Sequence, residues 1–281
     1  SAAHPELSGI AALENSASAF AARVILANAA VSSIDAQYYI WRDDLTGNLL
    51  LDALKRAADR GVRVRLLLDD NGVSGLDPEL ADLDLHPNVE VRLYNPFNLR
   101  RFKTVSFTFD FFRLNRRMHN KSLTVDGHAT ILGGRNVGDE YFGTGVSPLF
   151  VDLDVLAVGQ AVADVSADFD RYWAARSVYP ASVIIDEPKA AIAADGLARF
   201  RGSAELAEYR QLLERSDIVA DLAKGDLALE WTQALLVSDD PRKGKGTVKR
   251  KDLLATRLME AVGEIRSRFD GVSPYLVPGR S

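Results

Sequence analysis

Residues 117–126, Arg-Met-His-Asn-Lys-Ser-Leu-Thr-Val-Asp, followed by Gly133-Gly134-Arg135-Asn136, constrain the fold more than any other part of the chain. Side chains alternate along a strand, so a strand over 119–125 places His119, Lys121, Leu123 and Val125 on one face. Asp126-Gly127 is a hairpin signal, and 128–132 supplies the returning strand. Gly133 and Gly134 let the backbone come close to whatever sits beside His119. Asn136 adds an amide that can donate to an oxygen. An imidazole, an ammonium and an amide donor at one end of a hairpin suit a phosphate group.

Composition excludes several alternatives. The chain has 281 residues, enough for one large domain or two small ones with an ample core. It has no cysteine, which removes disulfides, thiol chemistry and thiolate metal sites. A formal net charge of −5 argues against a protein that coats nucleic acid. No run of 18 apolar residues occurs to cross a bilayer as a helix. The N-terminus Ser-Ala-Ala-His-Pro lacks the charged and apolar regions of a signal peptide.

Helical spacing of Phe20, Val24 and Val31 predicts a helix over 16–31, and the aromatic, β-branched run 33–41 predicts a strand. Thr46 is the expected cap of a second helix, with Leu50, Ala53, Leu54 and Ala57 inward and Gly61 at its end. Residues 62–70 read as a central strand ending in Asp69 and Asp70, where open α/β sheets place ligands or where a carboxylate caps the next turn. A helix over 77–83 and a strand over 89–94 follow, with His86 in a solvated turn. The alternation predicts an α/β fold with a mixed, largely parallel sheet.

Residues 95–117 are different. Arg100, Arg101, Lys103, Arg113, Arg116 and Arg117 stand against one acid, Asp110, and six phenylalanines are interleaved with them. Such a stretch could bind anionic lipid head groups while its rings enter the interface, or grip a nucleic-acid backbone, or be a loop that packs its own phenylalanines. A strand over 151–158 and a helix over 161–176 follow, with Val165, Phe169, Tyr172 and Trp173 inward. Residues 177–188 read as irregular, 189–222 as helical, 227–237 as a strand and 241–251 as a mobile basic loop. A last helix reaches residue 268, and the aromatic segment after it repeats the order of the beginning, as if an internal repeat started and stopped.

The spacing His-x-Lys-x4-Asp-x6-Gly-Gly-x-Asn is matched by His119, Lys121, Asp126, Gly133, Gly134 and Asn136. It resembles the signature of the phospholipase D superfamily. Residues 35–41, 66–70, 116–121, 133–142, 152–155 and 272–279 are similar to the bacterial cardiolipin synthase branch. The resemblance implies an α-β-α sandwich, one of two expected repeats. Residues 1–176 would form the motif-bearing domain, 177–250 a connector and 251–281 the start of a second repeat.

It also implies two-step phosphoryl transfer through a phosphohistidine on His119, without metal or cofactor. Lys121, Asn136 and Gly134 would bind phosphate oxygens, Asp126 would fix the hairpin turn as the motif's acid, and Asp152 would hold the His119 ring. Implied partners are anionic phospholipids at a bacterial membrane surface, and a second motif from the rest of the protein or a second copy; nucleic acid is not expected. A single-motif phosphodiesterase, nuclease or phospholipase D working as a homodimer, and a non-catalytic lipid-binding half, are the alternatives.

Overall fold

Among the described residues, one sheet carries every strand. The computed structural model describes residues 4–100, 103–143, 150–185, 196–246, 248–264 and 266–268. In chain order the elements are β1 (Ser8–Leu13), α1 (Ser16–Ala29), β2 (Ser33–Ile40), α2 (Leu45–Asp59), β3 (Arg63–Gly72), α3 (Asp77–Asp84) and β4 (Val89–Tyr94). Then come α4 (Lys103–Leu114), β5 (Ser122–Val125), β6 (Ala129–Gly133), α5 (Asp139–Phe142), β7 (Asp154–Gly159) and α6 (Gln160–Trp173). β8 (Val178–Pro180), α7 (Ala181–Ile184), α8 (Ala204–Glu214), α9 (Asp217–Lys224), β9 (Glu230–Thr232) and α10 (Leu254–Val262) complete the series.

The strand order is β8-β4-β3-β2-β5-β6-β7-β1-β9. Only β2–β3 and β3–β4 pair in parallel; the other neighbours are antiparallel. The α/β class and the mixed sheet are as expected, but "largely parallel" is corrected: the β5–β6 hairpin, β7 and both edges run antiparallel.

Alternation along β3 builds two cores. Leu66 and Leu68 join Phe20, Leu50 and Leu54 beneath α1 and α2, whereas Leu67 joins Tyr94, Met118, Phe169, Tyr172 and Trp173 beneath α6. The sheet is thus covered on both faces. The inward residues of α2 and α6 are those that helical spacing selects, because apolar side chains at i, i+3 and i+4 share one stripe.

Several local expectations change. The α2 cap is Asp44, whose carboxylate accepts from Gly47 N at 2.9 Å, while Thr46 N donates to Asp139. Val31 is 83% exposed because α1 ends at Ala29. β1 was not legible: Ser-Gly-Ile-Ala-Ala-Leu is poor in branched residues, and its pairing with β7 decides its state. Residues 95–117 contain α4 rather than a loop alone. The 227–237 strand shrinks to β9, and α10 ends at Val262 with no buried residue. His86 is half-buried and held, with Nε2 3.2 Å from Asp59 and Nδ1 accepting from Asn88 N. The basic segment after residue 240 packs as 3-10 turns, Pro241–Lys245 and Arg250–Asp252; Tyr94 donates to the Pro241 carbonyl at 3.0 Å. The aromatic segment 269–281 lies outside the described residues.

Candidate active site

The hairpin turns where its sequence requires: Asp126 and Gly127 have φ of 53° and 65°, the left-handed pair of a tight hairpin turn. β5 begins only at Ser122, so His119 and Lys121 sit on the lead-in to the strand, not within it as expected. Two carboxylates at the end of β3 fix that lead-in. Asp69 accepts from Met118 N at 2.9 Å and from the Arg117 guanidinium at 3.1 Å. Asp70 accepts from Phe97 N and the Arg100 guanidinium, both at 2.8 Å. Asn95, at φ 50°, donates its amide to the carbonyls of Arg113 and Arg116. The pair at the strand end therefore anchors a loop rather than binding a ligand.

This anchorage presents the Arg117 carbonyl to His119 Nδ1 at 3.1 Å. A carbonyl can only accept, so Nδ1 carries the hydrogen and Nε2 the lone pair. The Tyr39 ring covers the imidazole, with centroids 4.3 Å apart. Surrounding protein disfavours the charged imidazole, and Lys121 and Lys243 add repulsion against the pull of the Arg117 carbonyl, so His119 titrates below its usual range. At neutral pH its imidazole is therefore neutral. Lys121 Nζ donates to the His119 carbonyl at 2.7 Å and lies 5.8 Å from the Tyr39 ring centre. Burial pulls its ammonium down to about 8.

His119, Lys121, Gly134, Asn136 and Asp152 line one cavity of about 600 Å³ with Tyr39, Tyr141, Phe150 and Val151. Their roles within it differ from the expectation. Asn136 Oδ1 accepts from Ile40 N at 3.0 Å and its amide donates to the Tyr141 hydroxyl at 2.9 Å, pinning the residue to the end of β2. Gly134 N donates to the Leu153 carbonyl, and a Cβ there would stand 1.9 Å from the Asp152 carboxylate. The glycine thus makes room for Asp152, not for a phosphate. Asp152 does not hold His119: the Arg117 carbonyl occupies Nδ1, and Asp152 acts on Lys121, favouring its charge.

Asp126 lies at the other end of β5. It accepts from the backbone N–H groups of Val31, Ser32 and Ser33 at 2.9, 2.7 and 2.8 Å. Against the upward push of partial burial, these bonds hold its carboxyl down at about 2. It thereby ties the hairpin turn to the start of β2.

The basic residues of 95–117 also disperse. Arg100 is bound by Asp70 and Asp77, Arg113 by Asp110 and Asn95, and Arg117 is buried on Asp69. These three are corrected from head-group contacts to structural ties. Arg116 and Arg117 line a second cavity of about 450 Å³ beside His119, Asp239 and Lys243. Arg101 lies outside the described residues.

Sequence reasoning missed Tyr39, Asp239, Lys243 and Asp154. Asp154 is buried between Arg23 at 2.9 Å and Arg135 at 3.5 Å, under the 133–136 loop. Tyr39 and Asp154 lie in the segments 35–41 and 152–155 that carry the resemblance, which did not single them out, and no motif marks Asp239 or Lys243.

Comparison with known proteins agrees with the motif. The family description "Cardiolipin synthase, PLD-like domain" matches residues 24–173. Cardiolipin synthase C of Escherichia coli is 50% identical over 281 residues, covering 99% of this chain and 59% of that protein. Cardiolipin synthase of Oceanobacillus iheyensis is 36% identical over 141 residues, 50% of this chain and 28% of that protein. The chain thus spans little more than half the length of the first of these relatives and less of the second. The solved phosphatidylserine synthase of Haemophilus influenzae aligns with TM-score 0.48 and 16% identity over 83% of this chain and 48% of its own.

Proposed function

From a chain that belongs to the cardiolipin synthase, phospholipase D-like domain family, we propose that His119 is the nucleophile of a phosphatidyl transfer between phospholipids. The observation that carries this reading is the Nδ1–H of His119 bound to the Arg117 carbonyl, which leaves Nε2 with a lone pair beside the Lys121 ammonium.

In the first step Nε2 attacks phosphorus, a P–N bond forms, and the P–O bond to the leaving alcohol breaks. Lys121 stabilises the charge on the non-bridging oxygens. A second imidazole protonates the departing alkoxide, then takes the proton of the acceptor hydroxyl as it attacks phosphorus and releases His119. The sequence holds one His-x-Lys, so that imidazole belongs to a second motif, in a further part of the protein or in another copy.

Donor and acceptor of cardiolipin synthase type, both anionic phospholipids at a bacterial membrane, are supported by the 50% identity to Cardiolipin synthase C. Among the described residues no helix is long and apolar enough to cross that membrane. Short-chain phosphatidylglycerol in mixed micelles tests the reading in the presence of a second motif. Release of glycerol with formation of a diphosphatidyl product, lost in His119→Ala, is the expected result. Glycerol release that persists in the variant contradicts it.

A further inference from the structure

Helix α4 leaves large apolar side chains in water. Phe109, Phe111 and Phe112 are 85%, 54% and 79% exposed, and Leu99 and Val105 are also open. Val105, Phe109 and Phe112 follow i, i+4, i+7 spacing across a kink at Asp110. A cluster of this kind is uncommon on a surface that meets only solvent.

Three of the arginines interleaved with these rings are already engaged. Asp70 and Asp77 hold Arg100, Asp110 holds Arg113, and Asp69 holds the buried Arg117. At these three positions the positive charge is matched by carboxylates, two of them from β3, while the rings of Phe109, Phe111 and Phe112 face outward.

A second apolar rim lies at the site itself. Phe150, Val151 and Leu153 are 47%, 94% and 51% exposed. Phe150 and Val151 line the cavity that contains His119 and Lys121, and Leu153 lines a neighbouring one that also contains them. The base of α4 is tied to the same place, since Asn95 grips the Arg113 and Arg116 carbonyls just before His119.

We propose that α4 and the 150–153 rim seat the chain on a phospholipid surface by apolar insertion, independent of head-group charge, so that His119 lies at head-group depth. The inference rests on the phosphatidyl-transfer reading above. It selects lipid because Phe150 and Val151 rim the cavity that contains His119 and Lys121, so the surface that covers this rim is also the one that supplies the substrate. Aromatic rings suit such a boundary, being apolar and low in conformational entropy to immobilise.

The test is flotation of the 281-residue chain with vesicles of pure phosphatidylcholine or of phosphatidylcholine with phosphatidylglycerol, in low salt and in about 0.5 M salt. Similar partition into both vesicle types, insensitive to salt, is expected. The double variant Phe109→Ser/Phe112→Ser should lose about 100-fold in partition while keeping its thermal transition and its reaction with a soluble chromogenic phosphodiester. Phe109→Trp should gain fluorescence quenching by brominated phosphatidylcholine.

Partition that requires anionic lipid and vanishes in salt overturns the proposal. So does a double variant that floats like wild type, or one whose light scattering shows a dissociated oligomer. The flotation readout needs no turnover, so it stays decisive even if no phosphohistidine forms.

Discussion

The two ends of strand β5 differ sharply. At its entry, His119 and Lys121 sit beside a cavity, and both titrate below their usual ranges because the surrounding protein disfavours charge. At its exit, Asp126 has three backbone N–H donors on its carboxylate and a carboxyl held at about 2. Under the proposed function, one motif supplies chemistry at one end and architecture at the other. What separates them is hydrogen-bond saturation: a carboxylate already satisfied by the backbone has nothing left for a substrate, whereas an imidazole with a free Nε2 does.

Substitution at His119 should widen the contrast most. His119→Ala is expected to lower turnover about 10,000-fold or more, with a stability change within about 0.5 kcal/mol because its ring is not part of a core. Steady-state rates and thermal melts check both halves. A variant that keeps turnover would erase the distinction between the two ends.

Lys121→Met should cost about 100- to 1,000-fold in kcat/KM. The pH profile of the wild type carries the same information. Neutral His119 is required and its pKa is depressed, so the acid limb should lie below about 6.5. Lys121 is charged only below about 8, so kcat/KM should fall as pH rises through that value. The alkaline limb should disappear in Lys121→Met, and its persistence would assign that limb to another group.

Asp126→Asn should move stability and not chemistry, by about 1–2 kcal/mol at neutral pH, the size of a lost multidentate cap. The folded carboxyl, at about 2, lies below its unfolded value of about 3.9. Its contribution is therefore fully present above about pH 4 and lost as pH falls towards 2. Denaturant titrations at several pH values should show the variant's deficit shrinking in acid. A loss of activity per folded molecule would instead make Asp126 part of the chemistry.

The smallest effect should come from Tyr39→Leu, which removes the ring that covers His119 but keeps the Arg117 carbonyl contact. A rate loss of about 3- to 10-fold, with an upward move of the acid limb as the imidazole becomes more hydrated, is expected. An unchanged acid limb would show that Tyr39 contributes packing only.

Much of this was legible in the sequence because the patterns involved are local. The spacing of Leu50, Ala53, Leu54 and Ala57 selects a helix face, and Asp126-Gly127 selects a turn, without knowledge of any distant residue. The His-x-Lys pair likewise identifies its own neighbourhood. The partners of charged groups were not legible, since they arise from long-range contacts. Formal charge over 95–117 suggested a cationic surface, yet Asp69 and Asp70, nearly 50 and 30 residues from Arg117 and Arg100, absorb much of it. The resemblance implied Asp152 as the group that holds the His119 ring, but the backbone of Arg117, two residues away, binds Nδ1. The Arg23–Asp154–Arg135 cluster joins α1, β7 and the 133–136 loop, and no local pattern pairs these residues.

The central claim is that His119 Nε2 is the nucleophile, and the most direct measurement is the position of the covalent intermediate. The chain would be reacted with a phosphodiester bearing a good leaving group, quenched in alkali where phosphoramidates survive, and examined by peptide mass spectrometry and ¹H–¹⁵N correlation of the imidazole. The account predicts a phosphoramidate on His119, bonded through Nε2, with Nδ1 still protonated. A phosphoryl group on Nδ1, or on any other residue, would contradict it.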